Sequence, residues 1–158
     1  MGFVSQDSKL FARSIRENIW YGNEGSPDDD KIWDVLEQVG LAKWVKELPA
    51  GLDTVLATER MVSGGQAQRL QIARLLCRTG VHYVLLDECM SALDPAMRAH
   101  VTIALRNFLS DKTALVITHS HDTVSDLCDY VLHIGKLQAS ESSSLLTTTN
   151  YLASIDHK

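Results

Sequence analysis

The sequence predicts an α/β protein, a parallel-sheet core preceded by a short-looped helical segment. Residues 83–86 (YVLL) and 114–117 (ALVI) are continuous apolar runs that end in polar pairs, Asp87-Glu88 and Thr118-His119. Unalternated runs of this kind suit parallel strands buried on both faces. Between them Asp94-Pro95 opens a helix carrying Val101, Leu105 and Phe108 on one face, so strand, helix and strand follow as a βαβ unit.

The remaining elements follow in chain order. Gly2 to Gln6 reads as the end of a short strand, after which Ser5-Gln6-Asp7 turns the chain. Ser26 is expected to cap a helix that has Pro27 at its first position and Asp28 and Asp29 in its first turn. Ile32, Val35, Leu36 and Val39 recur at helical spacing, and Gly40 closes that helix. Leu41, Trp44, Val45 and Leu48 repeat the pattern up to Pro49. Ser63 with Gln66 three residues later is a capping box that starts a helix at about Gly64. Its apolar stripe is Leu70, Ala73 and Cys77, with Gln68, Arg69, Gln71 and Arg74 on the polar side. Tyr130 to Leu137 reads as a hairpin turning at Gly135-Lys136, residues 139–150 as a Ser/Thr-rich linker, and the last residues as a weak helix. The expected division is a helical part over about 7–78, a sheet core over about 79–138, and a linker with terminal helix over 139–158.

Composition narrows the function. Apolar residues make up 45% of the 158 and charged residues 22%, which is globular. The net charge of −5 leaves no electrostatic footprint for nucleic acid or an anionic membrane surface. Any phosphate chemistry must therefore come from local geometry. Cys77, Cys89 and Cys128 are odd in number and lack CxxC spacing, so they read as free thiols of a reducing compartment. No apolar run is long enough to cross a bilayer and no signal-peptide pattern opens the chain, which by itself is expected to be soluble and intracellular.

The residues with chemical potential sit at a helix start and at strand ends. A helix start needs only the Ser63 cap, and each interior glycine costs about 1 kcal/mol against alanine. Gly64 and Gly65 instead allow close approach to bare backbone N–H groups where the helix carries about half a positive charge, an anion site; a plain capped turn is the alternative. At the sheet edge Asp87 offers a hard oxygen ligand for Mg²⁺. Glu88 is placed to act as a general base on water, and His119 to donate a hydrogen bond to a phosphate oxygen. In open parallel sheets ligands bind beyond the carboxyl ends of the strands, where these residues lie.

The order GFVSQD, VSGGQAQR, YVLLDE, SALD and VITHS, from about Gly2 to Ile155, resembles the nucleotide-binding domain of ATP-binding cassette (ABC) proteins. The resemblance implies a partial P-loop NTPase (RecA-like) core with an inserted α-helical subdomain, and ATP with Mg²⁺ as cofactors. It makes Gln6 the Q-loop glutamine, which touches Mg²⁺ or the attacking water and couples to a transmembrane domain. Ser63, Gly64, Gly65 and Gln66, preceded by Val62 in place of the usual leucine, become the signature motif. Asp87 becomes the Walker B aspartate, Glu88 the catalytic glutamate, Ser91 to Asp94 the D-loop and His119 the switch histidine. In this family the signature closes over the γ-phosphate of ATP held by a facing domain, so a second nucleotide-binding domain is an implied partner.

The phrase LFARSIRENIWYG and the tail SSSLLTTTNYLASI resemble exporters, which implies coupling helices of a transmembrane domain as further partners and a place at the cytoplasmic face of a membrane. Trp20, Tyr21 and Trp44 are candidates to line that contact. The pattern GxxxxGK[ST] does not occur in these residues, and DTVLATERMVSGGQ is about two residues shorter than the exporter pattern. The isolated chain is therefore expected neither to hold ATP tightly nor to hydrolyse it. Two functions follow: an ATPase module of a membrane exporter, or a non-catalytic partner that lends signature and D-loop in trans.

Overall fold

The computed structural model describes residues 1–6, 9–58, 61–136 and 151–157. A three-stranded parallel sheet runs in the order β1 (Gly2–Val4), β2 (Tyr83–Asp87), β3 (Thr113–Ile117). Val4 pairs with Leu86 and Asp87 with Ile117, which places the residues after all three strands at one carboxyl edge. Between β1 and β2 come α1 (Ile15–Trp20), α2 (Asp29–Gln38), α3 (Ala42–Glu47) and α4 (Gly64–Cys77). The helix α5 (Pro95–Leu109) connects β2 to β3, and α6 (His121–Leu127) follows.

Helix α4 is the spoke on which the helical part turns. Its Leu70, Ile72 and Ala73 are fully buried in the same core as Ile15 and Ile19 of α1, Ile32 and Leu36 of α2, and Val4 and Leu86 of the sheet. Arg74 reaches across to α1, donating from Nε to the Asn18 carbonyl at 2.7 Å and from Nη2 to Asn18 Oδ1 at 2.8 Å. Asn18 is itself buried, and its Nδ2 donates to the carbonyls of Phe11, Arg13 and Ser14. One carboxamide thus shapes the whole turn before α1 and leaves no polar atom of its own wasted in the core. The Arg74 guanidinium lies under the Phe11 and Tyr21 rings, 4.7 and 5.8 Å from their centroids, the placement that favours a cation against aromatic faces.

Several expectations are corrected. The cap of α2 is Asp28, whose side chain accepts from Lys31 N–H, so Pro27 precedes the helix. Ser26 and Asp28 are both good caps, and only Asp28 stands three residues before a free N–H of the turn that forms. Gln68 and Gln71 of α4 are buried, 6% and 4% exposed, not on its polar side. The apolar strands are covered on one face only. Val4, Val84 and Leu86 are buried, whereas Phe3, Tyr83, Leu115 and Ile117 on the opposite face are about half exposed or more. The core helices gather on the first face, and nothing among the described residues covers the second.

Tyr130–Lys136 is one strand, β4, with no turn at Gly135-Lys136, and it pairs antiparallel with β5 (Tyr151–His157). The terminal segment is therefore a strand and not a helix. An edge strand offers a row of unpaired N–H and C=O groups, and seven residues too few for a stable lone helix satisfy them by pairing. The Ser/Thr-rich linker expected at 139–150 lies outside the described residues.

Candidate functional site

The β2–β3 register builds the centre of the site. Asp87 is the last residue of β2 and Glu88 the first beyond it, with Glu88 N–H donating to the Ile117 carbonyl at 3.0 Å. Glu88 takes a left-handed backbone, φ 47°, unusual for a residue with a side chain. That bend turns its carboxylate toward the end of β3, where Oε1 accepts the His119 N–H at 3.0 Å and lies 2.6 Å from His119 Nδ1. A carboxylate only accepts, so Nδ1 is the donor and Nε2 is left to the solvent side. Glu88 is largely buried, its side chain 15% exposed, while His119 stands out in water at 87%. Glu88 Oε2 makes no hydrogen bond among the described residues.

A cavity of about 290 Å³ opens here, lined by Glu88, Cys89, Ser91, Arg98, Thr118 and His119 among others. Arg98 went unnoticed in the sequence; its position four residues after the Asp94 cap was the available signal, and its Nη2 holds the Leu93 carbonyl at 3.1 Å. Burial pushes the Cys89 thiol up to about 12, so it stays a neutral packed group beside the carboxylates. Asp87 and Gln6 stand on the same carboxyl edge, Asp87 half-buried and Gln6 exposed, and neither lines this cavity. Neither side chain makes a hydrogen bond or ion pair among the described residues. One carboxylate and one carboxamide fit Mg²⁺, which keeps most of its waters and takes one or two protein oxygens. They fall short of a protein-only cage, and no group of three metal-ligating side chains occurs among the described residues.

The start of α4 forms a separate place. Ser63 caps it as expected: Oγ accepts Gln66 N–H at 3.2 Å and Gln66 Oε1 accepts Ser63 N–H at 2.8 Å. The box satisfies those two donors and leaves the Gly64 and Gly65 N–H groups without an acceptor among the described residues. Ser63 and Gly64 line a second cavity of about 290 Å³ with Leu10, Ala12, Leu56 and Val62. A bridge between Ser14 and Val55 ties together the two loops that wall it. The glycines differ in their reasons. A side chain on Gly64 would meet only the Ala92 methyl at 3.8 Å, whereas on Gly65 it would press the Ala92 carbonyl at 3.1 Å. Gly65 therefore has a packing reason to lack a side chain, and Gly64 has none among the described residues.

Asp94 serves as the cap of α5, its Oδ1 accepting Met97 N–H at 3.0 Å. The structure thus brings Glu88 to His119, aligns Asp87 and Gln6 at the same edge, and keeps Ser63 and Gly64 in a cavity of their own.

The sequence model of the ABC transporter family matches residues 1–91. The chain belongs to the ABC transporter family. It is 36% identical over 154 residues to a multidrug resistance ABC transporter ATP-binding and permease protein of Lactococcus lactis, covering 96% of this chain and 26% of that protein. It is 38% identical over 152 residues to an ATP-dependent lipid A-core flippase of Coxiella burnetii, again 94% of this chain and 26% of the relative. The chain thus spans about a quarter of the length of the curated relatives it matches. Among solved structures it superposes on a bacterial Atm1-family ABC exporter with ATP bound, with a TM-score of 0.73 and 32% identity, over 83% of this chain and 23% of that one. At that level of likeness the mixed α/β architecture is a partial P-loop NTPase fold of the ABC exporter type.

Proposed function

We propose that this chain is part of the ATP-binding domain of an ABC exporter, where ATP binding and hydrolysis drive transport across a membrane. The observation that supports it best is the division of the site. Glu88 and His119 form one cavity, and the open helix end at Ser63 and Gly64 forms another. A site that worked on a phosphate within one chain would gather both sets around it. Separate cavities suit an arrangement in which each chain supplies one half of two shared sites.

In this reading Glu88 is the general base. Its Oε1 is spent on His119, which leaves Oε2 to accept a proton from water as that water attacks a phosphorus. His119 holds the carboxylate in place through both N–H groups. To donate to a phosphate oxygen it must carry a proton on Nε2, either by releasing Glu88 or by holding protons on both nitrogens. Asp87 and Gln6 would hold Mg²⁺, which when bound offsets phosphate charge. Ser63 and the Gly64 N–H act on the nucleotide of a partner domain, and Asp94 holds the D-loop against it. The half-exposed rings of Phe3 and Tyr83 with Leu115 and Ile117 suit coverage by further chain. Tyr21, with Trp20 beside it, suits contact with the coupling helices of a transmembrane domain.

By itself the chain carries no phosphate cradle of the GxxxxGK[ST] type, so it neither binds ATP tightly nor hydrolyses it. Malachite-green assay of the purified chain is expected to show no phosphate release above buffer. Release that Glu88→Gln abolishes would overturn that statement. A non-catalytic partner subunit would use the same Ser63 to Asp94 surface, and an in-frame GxxxxGK[ST] encoded ahead of Met1 would decide against it.

A further inference from the structure

Gln68 is buried, 6% exposed, two residues past the capping box, and its carboxamide is spent entirely on the turn after Glu88. Its Nε2 donates to Ser91 Oγ at 3.0 Å, and its Oε1 accepts the Ala92 N–H at 2.9 Å. On the same turn Ser91 N–H donates to the Glu88 carbonyl at 3.2 Å. Gly65, one helical turn before Gln68, lies so close to the Ala92 carbonyl that a methyl group would crowd it at 3.1 Å. Ser91 lines the Glu88 cavity, and Ala67, next to Gln68, lines the Ser63 cavity. Gln68 lines neither cavity itself, but it ties the helix that starts at the Ser63 cavity to the turn that follows Glu88.

We propose that Gln68 is a positioning residue that fixes residues 91–92 to the first turns of α4, so that Ser63, Gly64, Asp94 and the backbone of Glu88 present one rigid surface to a partner. The proposal rests on the shared-site reading for what that surface is for, but the clamp itself stands on the bonds above. An amide that only filled the core would be replaceable by an apolar group of equal volume. A clamp would not, because Gln68→Leu takes away both the acceptor of the Ala92 N–H and the donor to Ser91 Oγ, and so frees the turn from α4. Gln68→Glu keeps an acceptor for Ala92 N–H, and Ser91 Oγ–H turns to donate to the second oxygen.

Hydrogen exchange of the full chain tests this, with the Ala92 amide compared with that of Leu75 in the middle of α4. Gln68→Leu is expected to speed Ala92 exchange by about 10-fold or more while Leu75 changes by less than about 2-fold, and Gln68→Glu to stay close to the wild-type chain at both. If Ala92 does not respond, or if Ala92 and Leu75 speed up together in Gln68→Leu, the clamp is refuted. A parallel measurement follows ATP-dependent association with an intact ABC ATP-binding domain. Loss of association in Gln68→Leu with rescue in Gln68→Glu supports the full proposal. Wild-type chain that never associates, with the exchange pattern intact, would sink the shared-site reading and leave the clamp standing. Association undiminished in Gln68→Leu would overturn the positioning role.

Discussion

The two cavities are equal in size and opposite in state. At the strand ends the functional groups are already engaged with each other: Glu88 Oε1 takes both His119 donors, and Arg98 holds the Leu93 carbonyl. At the start of α4 the capping box satisfies its own two donors and leaves two glycine N–H groups unspent. The difference teaches that the strand-end groups satisfy one another, whereas the helix start keeps backbone donors free for a group brought to it.

The largest effect that sharpens this contrast is on turnover. In an assembled transporter carrying this chain, Glu88→Gln is expected to cut ATP hydrolysis by about 10²–10⁴-fold. ATP-dependent association should persist, because Gln68, Ser63 and Gly64 are untouched. Steady-state phosphate release and sedimentation check the two halves, and equal loss of both would break the contrast.

Next comes the glycine pair. Gly65→Val is expected to destabilise the chain by about 1–3 kcal/mol, since the Ala92 carbonyl stands in the way. Gly64→Ala should stay within about 0.5 kcal/mol of the parent, since its methyl would make only an ordinary contact with Ala92 at 3.8 Å. Urea melts of both variants decide this, and equal costs would mean that the two glycines share one role.

A smaller effect concerns the bent backbone at Glu88, φ 47°. Glu88→Gly should melt about 1 kcal/mol more stably than Glu88→Ala, because only glycine takes that conformation without strain. The smallest is at Cys89. The unfolded thiol ionises from about pH 9 and the folded one only near 12, so in that window only the unfolded chain loses the proton. Stability therefore falls as pH rises above 9, by under about 1 kcal/mol up to pH 9.5, and Cys89→Ala should flatten the slope in a pH series of thermal melts.

Local chemistry was legible in the sequence and remote pairing was not. The Ser63-Gln66 box, the Asp94-Pro95 start and the apolar runs of β2 and β3 depend on neighbours within a few residues, and each stands where expected. Glu88 and His119 were each picked out, but the bond between them comes from the register of two strands. Gln68 reads as a surface residue because amides are mostly exposed; only its partners 23 and 24 residues away keep it satisfied when buried. The exposed face of β3 and the strand at Tyr151–His157 likewise depend on what lies alongside, which periodicity does not report.

The central claim is that the Ser63–Gly64 surface acts on a nucleotide held by another domain. The direct measurement is sedimentation of the chain mixed with an intact, hydrolysis-blocked ABC ATP-binding domain, with and without ATP and Mg²⁺. The expected result is a heterodimer that forms only with ATP and is lost in Ser63→Arg. No ATP-dependent association, or association that Ser63→Arg leaves unchanged, would contradict it.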